Sequence, residues 1–255
     1  MIPHIVFWFW YAAGAILLIF FGVPDALKFS NGLFLVFYGL YALYLASQAV
    51  FRTASPRTFR SKRLHLWVAG IGIGLGGMAI EWLGVHSGWP FGTYGYTDIL
   101  GVPVYGVPIT MGFAWIAVVC NGALIGRYSP GIRGRLLRAL STGGWTVMID
   151  LCLDPVAYNR RFWFWESSGG FYGVPWNNYI SWFLIAALLS MLVPDLALDR
   201  RTARQGAFLL QMILLLFGIL ALQAGLQGSF AAALAGIILA EVRLRHADRR
   251  QIQAI

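Results

Sequence analysis

The chain has 255 residues, of which 59% are hydrophobic and 11% charged, with a formal net charge of +9. A soluble domain carries about 25% charged residues, so no separate water-soluble module fits here, and 1–255 reads as one integral membrane domain. With no soluble basic segment, the positive charge argues against a nucleic-acid partner and for contact with the anionic face of a lipid bilayer.

The first apolar run, 5–23, has no basic region before it and no clear cleavage site after it, so it reads as a retained span. Further apolar runs follow at 31–51, 66–85, 107–126, 136–153, 178–194, 206–224 and 228–242. Crossing ~30 Å of hydrocarbon takes roughly 20 residues. The expectation is an all-α, polytopic transmembrane bundle of seven or eight spans, the last pair joined only by "QAGLQGSF". Cys120 and Cys152 fall inside apolar runs and read as small core residues.

Basic residues alternate from loop to loop. Arg52, Arg57, Arg60, Lys62 and Arg63 fall in the second connection, and Arg127, Arg133, Arg135 and Arg138 in the fourth. Arg200, Arg201 and Arg204 fall in the sixth, and Arg243, Arg245, Arg249 and Arg250 in the tail. By the positive-inside rule these segments are cytoplasmic, as are both termini, and the chain is a multi-pass protein of the cell membrane.

The same alternation puts two unusual loops on the outer side. One is "EWLGVHSGWPFGTYGYTDILG", which runs on into "VPVYGVPITMGFAW"; the other is "DPVAYNRRFWFWESSGGFYGVPWNNYISW". Both contain the tetrapeptide YGVP, at Tyr105–Pro108 and Tyr172–Pro175, shortly before an apolar run. It is either the trace of an internal repeat or, as we read it, turn chemistry used twice, with glycine and proline shaping a tight approach to a helix. A plain connection would be small and polar. These loops interleave aromatic rings with glycine, proline and carboxylates, and irregular backbone near a membrane persists only when it is packed in protein or lines a cavity. Both loops are expected to fold over the bundle and cap a pocket.

The ten acidic residues sort by position. Asp195, Asp199, Asp248 and Glu241 lie among arginines and balance charge, and Asp25 lies in a short outer connection. Glu81, Asp98, Asp150, Asp154 and Glu166 remain. Glu81 falls near the outer end of the third span. Asp150 and Asp154 are four apart near the outer end of the fifth, on one face of a continuing helix. Acids at that depth are costly and mark function by default. The alternative is a wetted helix-end carboxylate, or one paired with Arg160 or Arg161. The candidate catalytic residues are Glu81, Asp154 and Asp150. Trp89, Phe91, Tyr94, Tyr96, Trp163, Trp165 and Tyr172, with Asn177 and Asn178, are the candidate substrate-binding residues.

His4, His65, His86 and His246 are scattered and form no metal set, although His86 could sit beside the pocket. No phosphate-binding glycine loop, serine elbow or haem motif is present. The expectation is therefore no metal and no cofactor. What suits a greasy, ring-walled, acidic pocket is proton chemistry on an unsaturated lipid: a carboxyl protonates an alkene and aromatic faces stabilise the cation.

The patterns E-x-x-G-V-x-S-G-x-P-F-G-x-Y-x-Y from Glu81 and D-P-V-A…F-W-x-W…G-x-Y-G-V-P-x-x-N from Asp154 resemble a carotenoid biosynthesis family. That family includes carotenoid hydratases of the bacterioruberin and gamma-carotene types. The likeness covers roughly 65–182. It implies a carotenoid 1,2-hydratase, a hydro-lyase adding water across the terminal C=C of an acyclic carotenoid end without a redox cofactor. It puts Glu81, Asp154 and Asn178 at motif positions. Ser87 replaces an expected threonine, Phe171 an expected tyrosine, and Arg160-Arg161 is an unusual pair, which bears on substrate choice. The implied partners are a lipophilic carotenoid, water, the bilayer and other carotenoid-pathway enzymes. Two alternatives stay open at this level. One is an intramembrane isoprenoid cyclase or prenyltransferase. The other is a non-enzymatic carotenoid-binding or transport protein.

Overall fold

A computed structural model describes residues 2–126, 131–166, 169–196 and 198–252. Arg127 and the side chains of Asp248, Arg249 and Arg250 lie outside the described set. Each of the eight apolar runs is a helix: α1 (Ile2–Ile16), α2 (Phe29–Thr53), α3 (Pro56–Ser87), α4 (Thr110–Ile125), α5 (Gly131–Asn159), α6 (Trp176–Ser190), α7 (Arg200–Gln223) and α8 (Gln227–Ile252). A π-helical turn, Leu17–Phe21, continues α1. The all-α bundle expected from hydropathy is the observed architecture.

Two boundaries differ from expectation, each for a physical reason. Arg57, Arg60, Lys62 and Arg63 lie on the first turns of α3, not in a loop, and Arg133, Arg135 and Arg138 likewise begin α5. The 32 residues of α3 span about 48 Å at 1.5 Å per residue. That exceeds the ~30 Å of hydrocarbon, so the basic turns project past the apolar layer. Six helices, α1 with its π turn, α2, α3, α5, α7 and α8, are long and apolar enough to cross a membrane. The other two are shorter, 16 residues in α4 and 15 in α6. α4 is wrapped by α2, α3, α5, α6 and α7, and all its residues except Phe113 are buried. A helix enclosed by protein has no need to match lipid thickness.

Glycine allows this density. A Cβ at Gly143 of α5 would stand 2.6 Å from the Phe183 carbonyl of α6, and one at Gly122 of α4 would stand 2.9 Å from Thr142 of α5. Small residues at such crossings let backbones approach where lipid gives no hydrophobic drive between helices. The α5–α6 crossing matters because it sets Asp150 and Asp154 against Asn178.

The basic and aromatic ends are opposite. At the basic end buried Arg138 donates to the carbonyls of Val193 (2.7 Å) and Pro194 (3.0 Å) and to Asp195. Asp199 pairs with Arg52 and caps α7 through the backbone N–H groups of Arg201 and Thr202. Asp195 and Asp199 thus balance charge as expected, as Glu241 does with Arg245 at 2.7 Å.

At the other end the two aromatic loops join. β1 (Tyr94–Tyr96) pairs antiparallel with β4 (Trp163–Trp165), Tyr94 opposite Trp165 and Tyr96 opposite Trp163. β2 (Pro103–Val104) and β3 (Val107–Pro108) form a tight hairpin. Its turn residues Tyr105 and Gly106 have φ of 49° and 82°, and Tyr172 and Gly173 repeat the geometry at 53° and 87° between the bridged Phe171 and Val174. Both YGVP sequences build the same two-residue turn with positive φ at both central positions. The prolines sit outside the helices they precede: Pro108 ends β3, and Pro175 caps α6.

Gly143→Val is expected to push α6 off α5 and to lower stability by about 1–3 kcal/mol, the usual cost of overpacking. Thermal melting of the detergent-solubilised protein measures it.

Candidate functional site

Strand alternation builds the site's roof. In a β pair alternate side chains share a face, so Tyr94, Tyr96, Trp163 and Trp165 pack inward while Phe164 is 48% exposed. The ring pairs Tyr94–Trp165 and Tyr96–Trp163 have centroids 4.9 and 6.0 Å apart. Gly84 is required beneath them: a Cβ there would meet Phe91 at 2.6 Å and the Tyr94 hydroxyl at 2.8 Å.

Glu81, near the end of α3, is 2% exposed. Its Oε2 accepts from Tyr94 Oη at 2.5 Å and Tyr96 Oη at 2.6 Å. Its Oε1 accepts from Trp115 Nε1 of α4 at 3.1 Å. A buried carboxyl without such partners would be very costly. Burial, and next the adjoining Glu81 carboxylate, push both phenols above the ordinary tyrosine range, so they remain protonated donors.

Asp150 and Asp154 are both 2% exposed. α5 continues through Pro155 to Asn159, so one helical turn stacks them as expected. Asn178 of α6 bridges them, its Nδ2 donating to Asp150 Oδ2 at 3.1 Å and Asp154 Oδ2 at 2.6 Å.

Two hollows meet here. The smaller, about 20 Å³, lies among Glu81, Asp154 and Asn178 on the polar side and Phe91, Trp163 and Trp165 on the aromatic side. A water needs about 10–15 Å³ and two to four polar partners, so this pocket takes one. The larger, about 430 Å³, is apolar and has Asp150 on its wall. Met111, Trp163 and Trp182 border both hollows. Trp182 stacks on Trp115 at 4.3 Å and 17°, so this partition is tied through Trp115 to Glu81. α1 forms the outer wall of the large cavity through Trp10, Gly14 and Leu17. It is pinned by Tyr11 to the Met212 carbonyl (2.6 Å), Arg160 to the Leu18 carbonyl (3.0 Å) and Gln223 to the Ile19 carbonyl (3.0 Å).

Of the residues singled out in the sequence, Glu81, Asp150, Asp154, Phe91, Tyr94, Tyr96, Trp163, Trp165 and Asn178 line the paired hollows. Trp89, Tyr172 and Asn177 do not. Trp89 is 65% exposed beyond the end of α3. Tyr172 projects from its tight turn and accepts a hydrogen bond from the Gly228 amide at 2.9 Å, tying the loop to α8. Asn177 is exposed; it lies about 100° around the helix from Asn178, so the two cannot face the same way. His86 is exposed and bonds the Trp82 carbonyl at 2.8 Å, while Asp98 and Glu166 are exposed as well. Sequence reading missed Trp115, Met111 and Trp182. Trp182 had a signal, since it follows Asn178 by four residues and so shares its face. Trp115 had none beyond being the one tryptophan in α4.

The family described as carotenoid biosynthesis protein matches residues 32–242. A bisanhydrobacterioruberin hydratase of Haloarcula japonica is 33% identical over 187 residues, 72% of this chain. The match spans 60% of that relative's length. No solved structure matches.

Tyr94→Phe and Tyr96→Phe each remove a donor from buried Glu81 and are expected to lower stability by about 1–3 kcal/mol, read by thermal melting in detergent. Because the folded state holds these phenolic protons more tightly, their contribution is present below the ordinary phenol pKa of about 10 and is lost as pH rises beyond it. The double variant is expected to lose less stability on alkalinisation than its parent.

Proposed function

This chain belongs to the carotenoid biosynthesis protein family, and on that premise we propose that it is a carotenoid 1,2-hydratase. In this reading it adds water across the terminal C=C of an acyclic carotenoid end, of the lycopene, gamma-carotene or bisanhydrobacterioruberin kind. The observation that carries the reading is the juxtaposition of a one-water polar pocket, holding Glu81, Asp154 and Asn178, with a 430 Å³ apolar cavity walled by Asp150. The likeness to a named hydratase supports it.

The end of the polyene fills the apolar cavity, which falls within the ~300–1,000 Å³ typical of small-molecule sites. The rest of so long a chain extends past α1 into lipid. The Asp150–Asp154 pair holds the catalytic proton. Asp150, on the cavity wall, gives it to the less substituted alkene carbon and leaves a tertiary cation. Trp163 and Trp182, which form the partition with Met111, face that cation; a desolvated ring contributes about 2 kcal/mol. The oxygen of the pocketed water bonds to the cation and its surplus proton goes to Glu81. That proton crosses to Asp154 and restores the pair. One H₂O is added and no electrons are exchanged, so the reaction needs no redox partner. With the basic end cytoplasmic, as the charge pattern supports, the site lies at the outer leaflet and both termini lie inside.

The test is production of the protein in a host that makes acyclic carotenoids, with pigments analysed by mass. Each reacted end is expected to gain the mass of one water. A new pigment of unchanged mass would indicate cyclisation, and untouched pigment across several acyclic substrates would refute catalysis. Glu81→Gln, Asp150→Asn and Asp154→Asn are each expected to cut turnover by about 10²–10⁴-fold, the usual contribution of a positioned acid or base, with membrane insertion retained.

A further inference from the structure

The hydroxyl and amide donors around the small pocket are committed. The hydroxyls of Tyr94 and Tyr96 are given to Glu81. Both N–H groups of Asn178 go to the aspartates. Trp115 Nε1 goes to the far oxygen of Glu81. Among the described residues that line it, one fully buried donor has no partner. Trp165 is 8% exposed, its ring lines the pocket, and its Nε1 reaches no acceptor among the described residues. An orphaned buried N–H is rare and calls for an explanation. Trp163 and Trp182 also line this pocket, but both face the apolar cavity too, whereas Trp165 does not. β-pairing opposite Tyr94 fixes its backbone.

A water here meets an unusual set of neighbours. Glu81 and Asp154 offer acceptors for its two hydrogens, and the buried N–H of Trp165 is free to bind one of its lone pairs. The second lone pair is then left for carbon. Resting on the hydration reading above, we propose that the indole N–H of Trp165 holds the reacting water and decides the fate of the cation. With the water held, the C–O bond forms and the alcohol is released. With the water loose, the cation returns a proton to a carboxylate and an alkene is regained.

Isotope exchange separates the two outcomes. Membranes containing the protein are incubated with an acyclic carotenoid in D₂O, and both the alcohol and the deuterium content of recovered alkene are measured. Trp165→Phe keeps the ring and removes the donor. It is expected to lower the ratio of alcohol to deuterated alkene about tenfold, in line with one lost hydrogen bond. Trp165→His, which regains a ring N–H, should recover part of the ratio. An unaltered ratio in Trp165→Phe overturns the proposal, as does loss of both alcohol and exchange that histidine fails to restore, since the ring would then serve only as packing. If the parent protein neither hydrates nor exchanges any acyclic substrate, the hydration reading itself falls and this inference with it.

Discussion

Glu81 is a carboxyl carried into the bundle by a membrane-spanning helix, and three side-chain donors take the place of its water. Two come from β1 and one from α4. Holding that carboxyl therefore requires a loop to fold back over the helices and a short helix to stand beside it. The loop is held by a strand from the second loop, and that strand follows directly on the helix bearing Asp150 and Asp154. One solvation requirement thus links α3, α4, α5 and both loops into a single arrangement.

The arrangement divides space by polarity. A water-sized pocket lies among hydrogen-bonding groups, and the much larger volume beside it is apolar. The partition of Met111, Trp163 and Trp182 keeps them distinct while leaving them adjacent. For a reaction between water and a hydrocarbon this matters more than any single residue. In the proposed hydration, a cation formed in a wet cavity would meet many waters in many orientations, whereas one formed beside this pocket would meet one, from one side. The position of α1 has the same logic. It is the least enclosed of the long apolar helices, 11% buried over its apolar window, and side-chain bonds to backbone carbonyls fasten it at its middle and at one end. A wall attached in that way suits a cavity whose contents come from the surrounding lipid.

Much of the fold was legible in residue order. Hydropathy marked eight segments, and eight helices occupy them. The four-residue spacing of Asp150 and Asp154 placed them on one face, and the helix runs unbroken through both. YGVP signalled a special turn, and both copies make it. Such features are local: a run of apolar residues, a helical period and a glycine tolerant of positive φ act over a few positions. The density of rings, glycines and acids in two loops also pointed to a capped pocket, because no solvated connection needs that mixture.

What residue order left open was every relation set by packing between distant segments. Strand register decided that Tyr94 and Tyr96 face Glu81 while Phe164 faces outward. Rotation of α6 against α5, fixed by the close approach at Gly143, turned Asn178 inward and Asn177 out. Trp115 became a partner of Glu81 only because α4 is buried among five other helices. Sequence by itself determined the membrane fold class, the helices and which residue types gather at the aromatic end. Tertiary structure alone decided which of them meet, because side-chain direction depends on contacts made across tens of residues, which no local pattern encodes.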